Sequence, residues 1–378
     1  MQKAAVGWLM WELTHAPGWV GAVALSDLVS AIWVAPLAGA AADRSNPFRL
    51  ILLTQWLSLI AAALLWLMIV GSAATPLALV LWAIVDSTVQ GFNQPVRMLV
   101  IGMIAPGKRT SQAIAANSIA ANVARIIGPA IGGFVILHGG IDWAILLNIL
   151  SFIPFLLTLI HLRRWIDKSR SSAGRGPLLA DVASGFSYVY RTPRIRLLFT
   201  LTALFALLGR PFTELFPAIA GEVFAGGPET LALLMSAQGV GALFGASWML
   251  RSRSAAALVA TTFGAAFGIA VTLVSFSLSR DATFGLAMML FAGFFHVVCN
   301  IGMQSMAQTM SEAAIRGRVL SLYWLIFRCG PAVGAFLLGV AAHYAGLQAL
   351  IGCGAAALGV AVIAMIPSVR RIYLRGNG

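Results

Sequence analysis

Charge is the first thing this chain lacks. It has 25 Lys and Arg and 12 Asp and Glu among 378 residues, ten per cent in all, where a soluble domain carries about a quarter. Water is therefore excluded as the solvent for most of its surface. Cysteine is scarce as well. Cys299, Cys329 and Cys353 all fall in apolar runs, so they make neither a disulfide framework nor a metal spacing and read as packing residues. Catalytic signatures are missing: there is no HExxH, no paired-cysteine metal site and no GxSxG. "GMIAPGKRT" sets Gly102, Gly107 and Lys108 at P-loop spacing, but Arg109 stands where Ser or Thr must hold the metal. The sequence predicts no enzyme, no cofactor and no metal.

What the chain has is apolar length. Sixty per cent of its residues are hydrophobic and the mean hydropathy is +0.91. A spanning helix needs about 20 apolar residues. Spans are predicted at 18–41, 48–71, 76–104, 112–137, 142–161, 195–218, 229–250, 255–278, 282–307, 317–341 and 347–367. The fold class is an all-α membrane protein. The stub "KAAVGWLMWELT" before them is too short to cross. A full helix ending at Thr14 would restore an even count, so the expectation is a first helix without its N-terminal half, by a miscalled start or a genuine truncation. A cleaved signal peptide is the plainer alternative, but no charged-apolar-small triplet is present.

The formal charge of +13 is an orientation device. Twenty Lys and Arg fall in one alternate set of loops and at the C-terminus, against Arg280 alone in the other set. This is the positive-inside pattern. It predicts a multi-pass protein of the cell membrane, the bacterial inner membrane, with a cytoplasmic C-terminus. Its medium is the lipid bilayer, and it has no nucleic-acid partner.

The one long polar stretch, "HLRRWIDKSRSSAGRGP", divides the chain. The expected organisation is an N-terminal membrane half (1–161), a cytoplasmic linker (162–194) and a C-terminal membrane half (195–378). Within the linker Leu178, Val182, Phe186 and Val189 share one helical face, which predicts a short helix lying on the membrane surface. The halves look related. "GPAIGG" from Gly128 and "GPAVGA" from Gly330 lie 202 residues apart, and Asp86, Gln90 and Gln94 correspond to His296, Asn300 and Gln304 at an offset of 210. Repeated halves with a site between them near mid-membrane are the construction of many secondary transporters.

The polar residues inside the spans are the candidates for chemistry. Arg125 sits mid-helix, where it costs about 2.5–3.5 kcal/mol unless it meets water or a partner. Ser118, Asn122 and Pro129 share its face. Beside that face Ala124, Gly128 and Gly132 offer a surface for close helix packing. The competing reading is an arginine held in a static ion pair. Asp86, Gln90, Asn93 and Arg97 form a stripe on one helix, and Asp86 is a candidate counter-ion for Arg125. Arg210 and Glu214 stand at i and i+4, where they can pair; Glu214 reads equally as a coupling acid. Asp27 has no obvious partner. Arg328 precedes "GPAVG" by two residues and reads either as cavity lining or as a side chain snorkelling to the surface. His296 is the one histidine on a polar helical face. The expected substrate cavity is Arg125, Asn122, Asp86 and Gln90 from one half and His296, Asn300, Gln304 and Arg328 from the other. Asp86 and Glu214 are the candidate proton carriers, and a cavity arginine suits an anionic substrate group.

These residues carry a family resemblance. "GAAADRSNPFR" (39–49) resembles the signature loop of the major facilitator superfamily: Gly39, Asp43 and Arg44 match, and Asn46 stands where glycine is usual. The resemblance implies a gating role for that loop, with Asp43 and Arg44 latching the cytoplasmic side. "GPAIGG" resembles the fifth-helix motif of drug–proton antiporters, with Ala124 in place of the upstream glycine. "GFNQPVR", "NVARIIGPAIGG", "RPFTELFP" and "RGRVLSLY" are most similar to the enterobactin-exporter-like branch of permeases. The resemblance implies the major facilitator fold of two six-helix halves, with the first helix truncated here. It also implies a monomer that moves a small molecule, anionic or siderophore-like, by alternating access, outward and driven by protons. Two alternatives stay open: an uncoupled facilitative transporter, and a non-transporting receptor or assembly protein descended from one.

Overall fold

The computed structural model describes residues 2–44, 46–104, 109–162, 187–249, 255–312 and 315–371, and in parts of the second, fourth, fifth, ninth and eleventh helices the backbone alone. Regular structure among the described residues is entirely helical. In chain order come α1 (Gln2–Thr14), α2 (Pro17–Arg44), α3 (Pro47–Val70) and α4 (Pro76–Ile104). The run Arg109–Leu162 follows and breaks at Gly140 (φ 82°), a conformation that glycine adopts at no steric cost. Its first part, 109–139, is α5; its second, 141–162, is α6. Then come α7 (Pro193–Leu204), α8 (Pro228–Met249), α9 (Ala255–Ser277), α10 (Ala282–Thr309), α11 (Arg316–Ala345) and α12 (Leu347–Val369).

Local chemistry sets the boundaries. Proline opens α2, α3, α4, α7 and α8, where its fixed φ suits the first turn and its missing N–H costs nothing. Asn46 caps α3, accepting from the Phe48 and Arg49 amides at 2.9 and 3.4 Å. Asp281 caps α10 through the Phe284 amide at 2.7 Å. Among the described residues eight helices are long and apolar enough to cross a membrane. On α3, Leu53, Trp56, Leu57, Ile60, Leu64 and Leu67 are exposed, a stripe that lipid covers.

The seventh segment departs from the single helix expected over 195–218. After α7 the chain forms a π-turn (Phe205–Gly209), a 3-10 turn (Pro211–Thr213), a short α-turn (Phe216–Ala218) and a second π-turn (Ile219–Val223). Pro211 and Pro217 remove two helical donors, so continuous α-geometry cannot run through. The i,i+4 register expected to pair Arg210 with Glu214 is lost with it. Of the predicted surface helix, 178–186 lies outside the described residues; 187–191 is helical, with Val189 buried.

Small residues bring helices together. A Cβ on Gly21 of α2 would stand 2.7 Å from the Phe336 Cα of α11, and one on Gly339 2.5 Å from the Pro17 carbonyl oxygen. Gly241 and Gly245 of α8 meet the α10 backbone in the same way. The expected packing face at Gly128 differs: a Cβ there meets nothing within 4 Å among the described residues. The short α1 is fully integrated. Ala5, Val6, Trp8, Met10 and Trp11 are buried, and Asn148 Nδ2 of α6 donates to Gln2 Oε1 at 2.6 Å. Trp11 lies over Gly221 and Gly7 against Pro217, so α1 rests on the irregular seventh segment.

Candidate functional site

Charges from α1, α2 and α11 meet at one place. The Lys3 ammonium of α1 pairs with Oδ2 of Asp27 on α2. Oδ1 of Asp27 accepts from the Ser87 hydroxyl of α4 at 2.8 Å and lies 3.8 Å from Arg328 Nη2 of α11. Ser87 Oγ is 3.2 Å from Ser26 Oγ. One turn along, Thr88 Oγ1 donates to Ser30 Oγ at 3.3 Å, and Ser30 Oγ donates to the Ile84 carbonyl at 3.0 Å. The α2–α4 contact is thus a hydroxyl seam that ends in a carboxylate.

Depth and exposure give this cluster its meaning. Asp27 and Asp86 each stand ten residues inside their helices, about 15 Å at 1.5 Å per residue, half the thickness of a hydrocarbon core of about 30 Å. Yet the Lys3 and Arg328 side chains are 66% and 40% exposed, while that of Asp27 is 13% exposed. A cation exposed at mid-depth faces water rather than lipid. A cavity opens beside the cluster. Lys3, Gly7, Ala24, Ser26, Asp86, Ser87 and Glu214 line it. An adjoining cavity shares Lys3 and Glu214 and runs along Thr213, Pro217 and Met235. Asp86 is 8% exposed. Gln90 stands one turn on, and Asp86 Oδ1 is buried with no hydrogen-bond partner among the described residues.

Asp86, Gln90, Glu214 and Arg328 are thus gathered around Lys3 and Asp27. The remaining expected residues lie elsewhere or beyond description. His296 packs edge-on against Phe205 and Phe212, with ring centroids 5.7 and 6.3 Å away, beside the first π-turn. Asn300 is buried with its Oδ1 3.4 Å from the Tyr323 hydroxyl, at the α10–α11 contact. Gln304 is half-buried further along α10. Asn122 and Arg125, and Gly39, Asp43 and Arg44, are described by backbone alone, helical in α5 and α2. The Asp86–Arg125 pairing falls with them. Arg97 engages Phe155 of α6, 5.5 Å from the ring centroid.

Sequence reading missed Lys3 altogether and left Asp27 without a partner. A signal existed. Lys3 stands eleven residues before the end of α1, too deep for a loop residue. Its partner is 24 positions away on another helix, beyond the reach of local spacing.

Arg210 has a partner that sequence also hides. Its Nη1 donates to the Phe327 carbonyl at 2.5 Å, and its guanidinium lies 4.1 Å over the Phe327 ring. That carbonyl would take its helical donor from residue 331, which is proline and has no N–H.

A helical bundle of membrane-crossing segments with paired charges around a water-facing cavity is the architecture of a membrane transporter. The chain belongs to the transmembrane secretion effector family, which it matches over residues 1–372, within the major facilitator superfamily. It is 25% identical over 374 residues to YfiS of Bacillus subtilis (strain 168), an uncharacterized MFS-type transporter, covering 94% of this chain and 86% of that one. It is 23% identical over 242 residues to the staphyloferrin A transporter of Staphylococcus aureus (strain NCTC 8325 / PS 47), a match that spans 64% of this chain and 60% of that protein. Among solved structures it resembles a POT family transporter in complex with 5-aminolevulinic acid, at TM-score 0.72 and 13% identity over 98% of this chain and 93% of that one. It also resembles a bacterial homologue of the human lysosomal transporter Spinster in an inward-facing, occupied conformation, at TM-score 0.69 and 14% identity over 99% and 95%. These likenesses establish the major facilitator fold.

Proposed function

We propose that this transporter is a secondary active exporter of the bacterial cytoplasmic membrane. It moves a small molecule outward by alternating access in exchange for protons, with two six-helix halves (1–161 and 195–378) joined by the linker 162–194. Exposed Lys3 and Arg328 at mid-depth, facing one another across Asp27, are the observation that carries the reading: a charged, water-filled site between two parts of the bundle is where a substrate can be handed from one side to the other. Asp86 and Glu214 are the proton carriers of the proposal. Both border the same cavity as Lys3, and the open Oδ1 of Asp86 is an acceptor awaiting a proton or a ligand donor. Arg328 and Arg125 would meet an anionic group. The staphyloferrin A transporter among the relatives supports a siderophore-like molecule as the first class to try. The chain works as a monomer in this reading, its C-terminus in the cytoplasm.

The test uses efflux-deficient cells at matched membrane abundance, with acidic, catechol and lipophilic cationic compounds, with and without a protonophore. Export predicts lower retention of a compound in wild type, abolished by the protonophore and by Asp86→Asn. Retention lowered equally with and without the protonophore would replace proton coupling by facilitated transport.

A further inference from the structure

Two interruptions face each other across the bundle. In α11, Pro331 deprives the Phe327 carbonyl of its i+4 donor; in membrane such a loss must be made good from elsewhere. Opposite, the seventh segment leaves α-geometry between the π-turn ending at Gly209 and the 3-10 turn beginning at Pro211. Arg210 stands at that junction and supplies the donor, at 2.5 Å to Phe327 O. The same guanidinium lies 4.1 Å over the Phe327 ring, a ring 3% exposed and stacked on Tyr323 at 5.6 Å. The contact is therefore fixed in two directions, along the carbonyl and across the ring. Each side of it leads to the charged cluster or the cavity beside it. The residue after Phe327 is Arg328, 3.8 Å from Asp27. Four residues after Arg210 is Glu214, on the cavity wall.

We propose that Arg210 is a positioning residue: its guanidinium replaces the hydrogen bond that Pro331 removes from α11, and so ties the break that carries Glu214 to the turn that carries Arg328. Two flexible points become one unit, and Arg328 and Glu214 move together. The hydrogen-bond replacement stands without the transport reading; the effect on the cavity rests on it.

The experiment is a double-mutant cycle on the full chain, purified in detergent: wild type, Arg210→Met, Pro331→Ala and the pair. Apparent Tm is read for all four. Pro331→Ala returns an N–H to α11, so the carbonyl no longer needs the arginine. Arg210→Met is expected to lower Tm by about 2–4 °C in the wild-type background and by less than half as much beside Pro331→Ala. Arg210→Lys, which keeps a donor, is expected to recover part of the loss. Equal losses in both backgrounds would overturn the proposal, because a packing role for Arg210 is indifferent to residue 331. If Arg210→Met does not accumulate, accumulation of the pair supports the proposal and its failure overturns it. Where wild type exports a compound, export lost in Arg210→Met and regained in the pair extends the tie to the cavity. Export by none of the four, wild type included, counts against the transport reading and leaves the Tm comparison standing.

Discussion

Asp27 holds three partners with one carboxylate: Lys3, Ser87 and, at 3.8 Å, Arg328. Removing it leaves two cations facing each other at mid-membrane depth, whereas removing an anion and a cation together leaves a neutral polar site. Asp27→Asn is expected to lower the apparent Tm by about 2–4 °C and to abolish export. Adding Lys3→Met to Asp27→Asn is expected to restore most of the Tm without restoring export. Thermal unfolding of the purified variants checks the first part and compound retention the second. A double variant less stable than Asp27→Asn alone would contradict the pairing. At this scale the sequence was half legible. Asp86, Glu214 and Arg328 stood out because charge in an apolar run is costly. Their meeting with Lys3 and Asp27 did not stand out, because contact between helices 24 residues or more apart leaves no local pattern.

Among elements, close approach is set by residues without side chains. The α2–α11 contact at Gly21 and Gly339 has no room for a Cβ against backbone atoms, and backbone, unlike a flexible side chain, cannot step aside. Gly21→Leu is expected to cost about 1–3 kcal/mol of stability through overpacking and to reduce export with it. Gly128→Ala, at a position where a Cβ meets nothing within 4 Å among the described residues, is expected to be neutral. Denaturation of the two variants side by side checks the contrast. Helix positions were largely legible: Pro76–Ile104 matches its predicted span, and the other unbroken helices differ from theirs by at most four residues at either end. Apolar length and opening prolines carry that information. The broken seventh segment did not read out, because a run that is apolar throughout looks the same whether its turns are α or π. The prolines of "RPFTELFP" were the available sign.

For the whole molecule, cations sort by role. Twenty of 25 Lys and Arg sit in one alternate set of loops, in the helix ends that flank them and at the C-terminus, and Arg280 alone in the other set. That leaves Lys3, Arg125, Arg210 and Arg328 within the spans, and each of the three with described side chains has a partner: Asp27 for Lys3 and Arg328, the Phe327 carbonyl for Arg210. Two of those three, Lys3 and Arg328, meet at Asp27 beside the cavity. The proposed sidedness, with the basic loops in the cytoplasm, is open to test: a cysteine replacing Arg370 is expected to react with a membrane-impermeant thiol reagent in inverted vesicles and to be protected in right-side-out ones.

The most direct test of the central claim, a water-filled site reached alternately from both sides, places a cysteine in the cavity. Ala24 is half-buried on its wall. In a background with Cys299, Cys329 and Cys353 replaced by serine, Ala24→Cys is exposed to an impermeant thiol reagent in right-side-out and in inverted vesicles. The account predicts modification from both sides, each slowed by a transported compound. Modification from one side alone, or from neither, would contradict it.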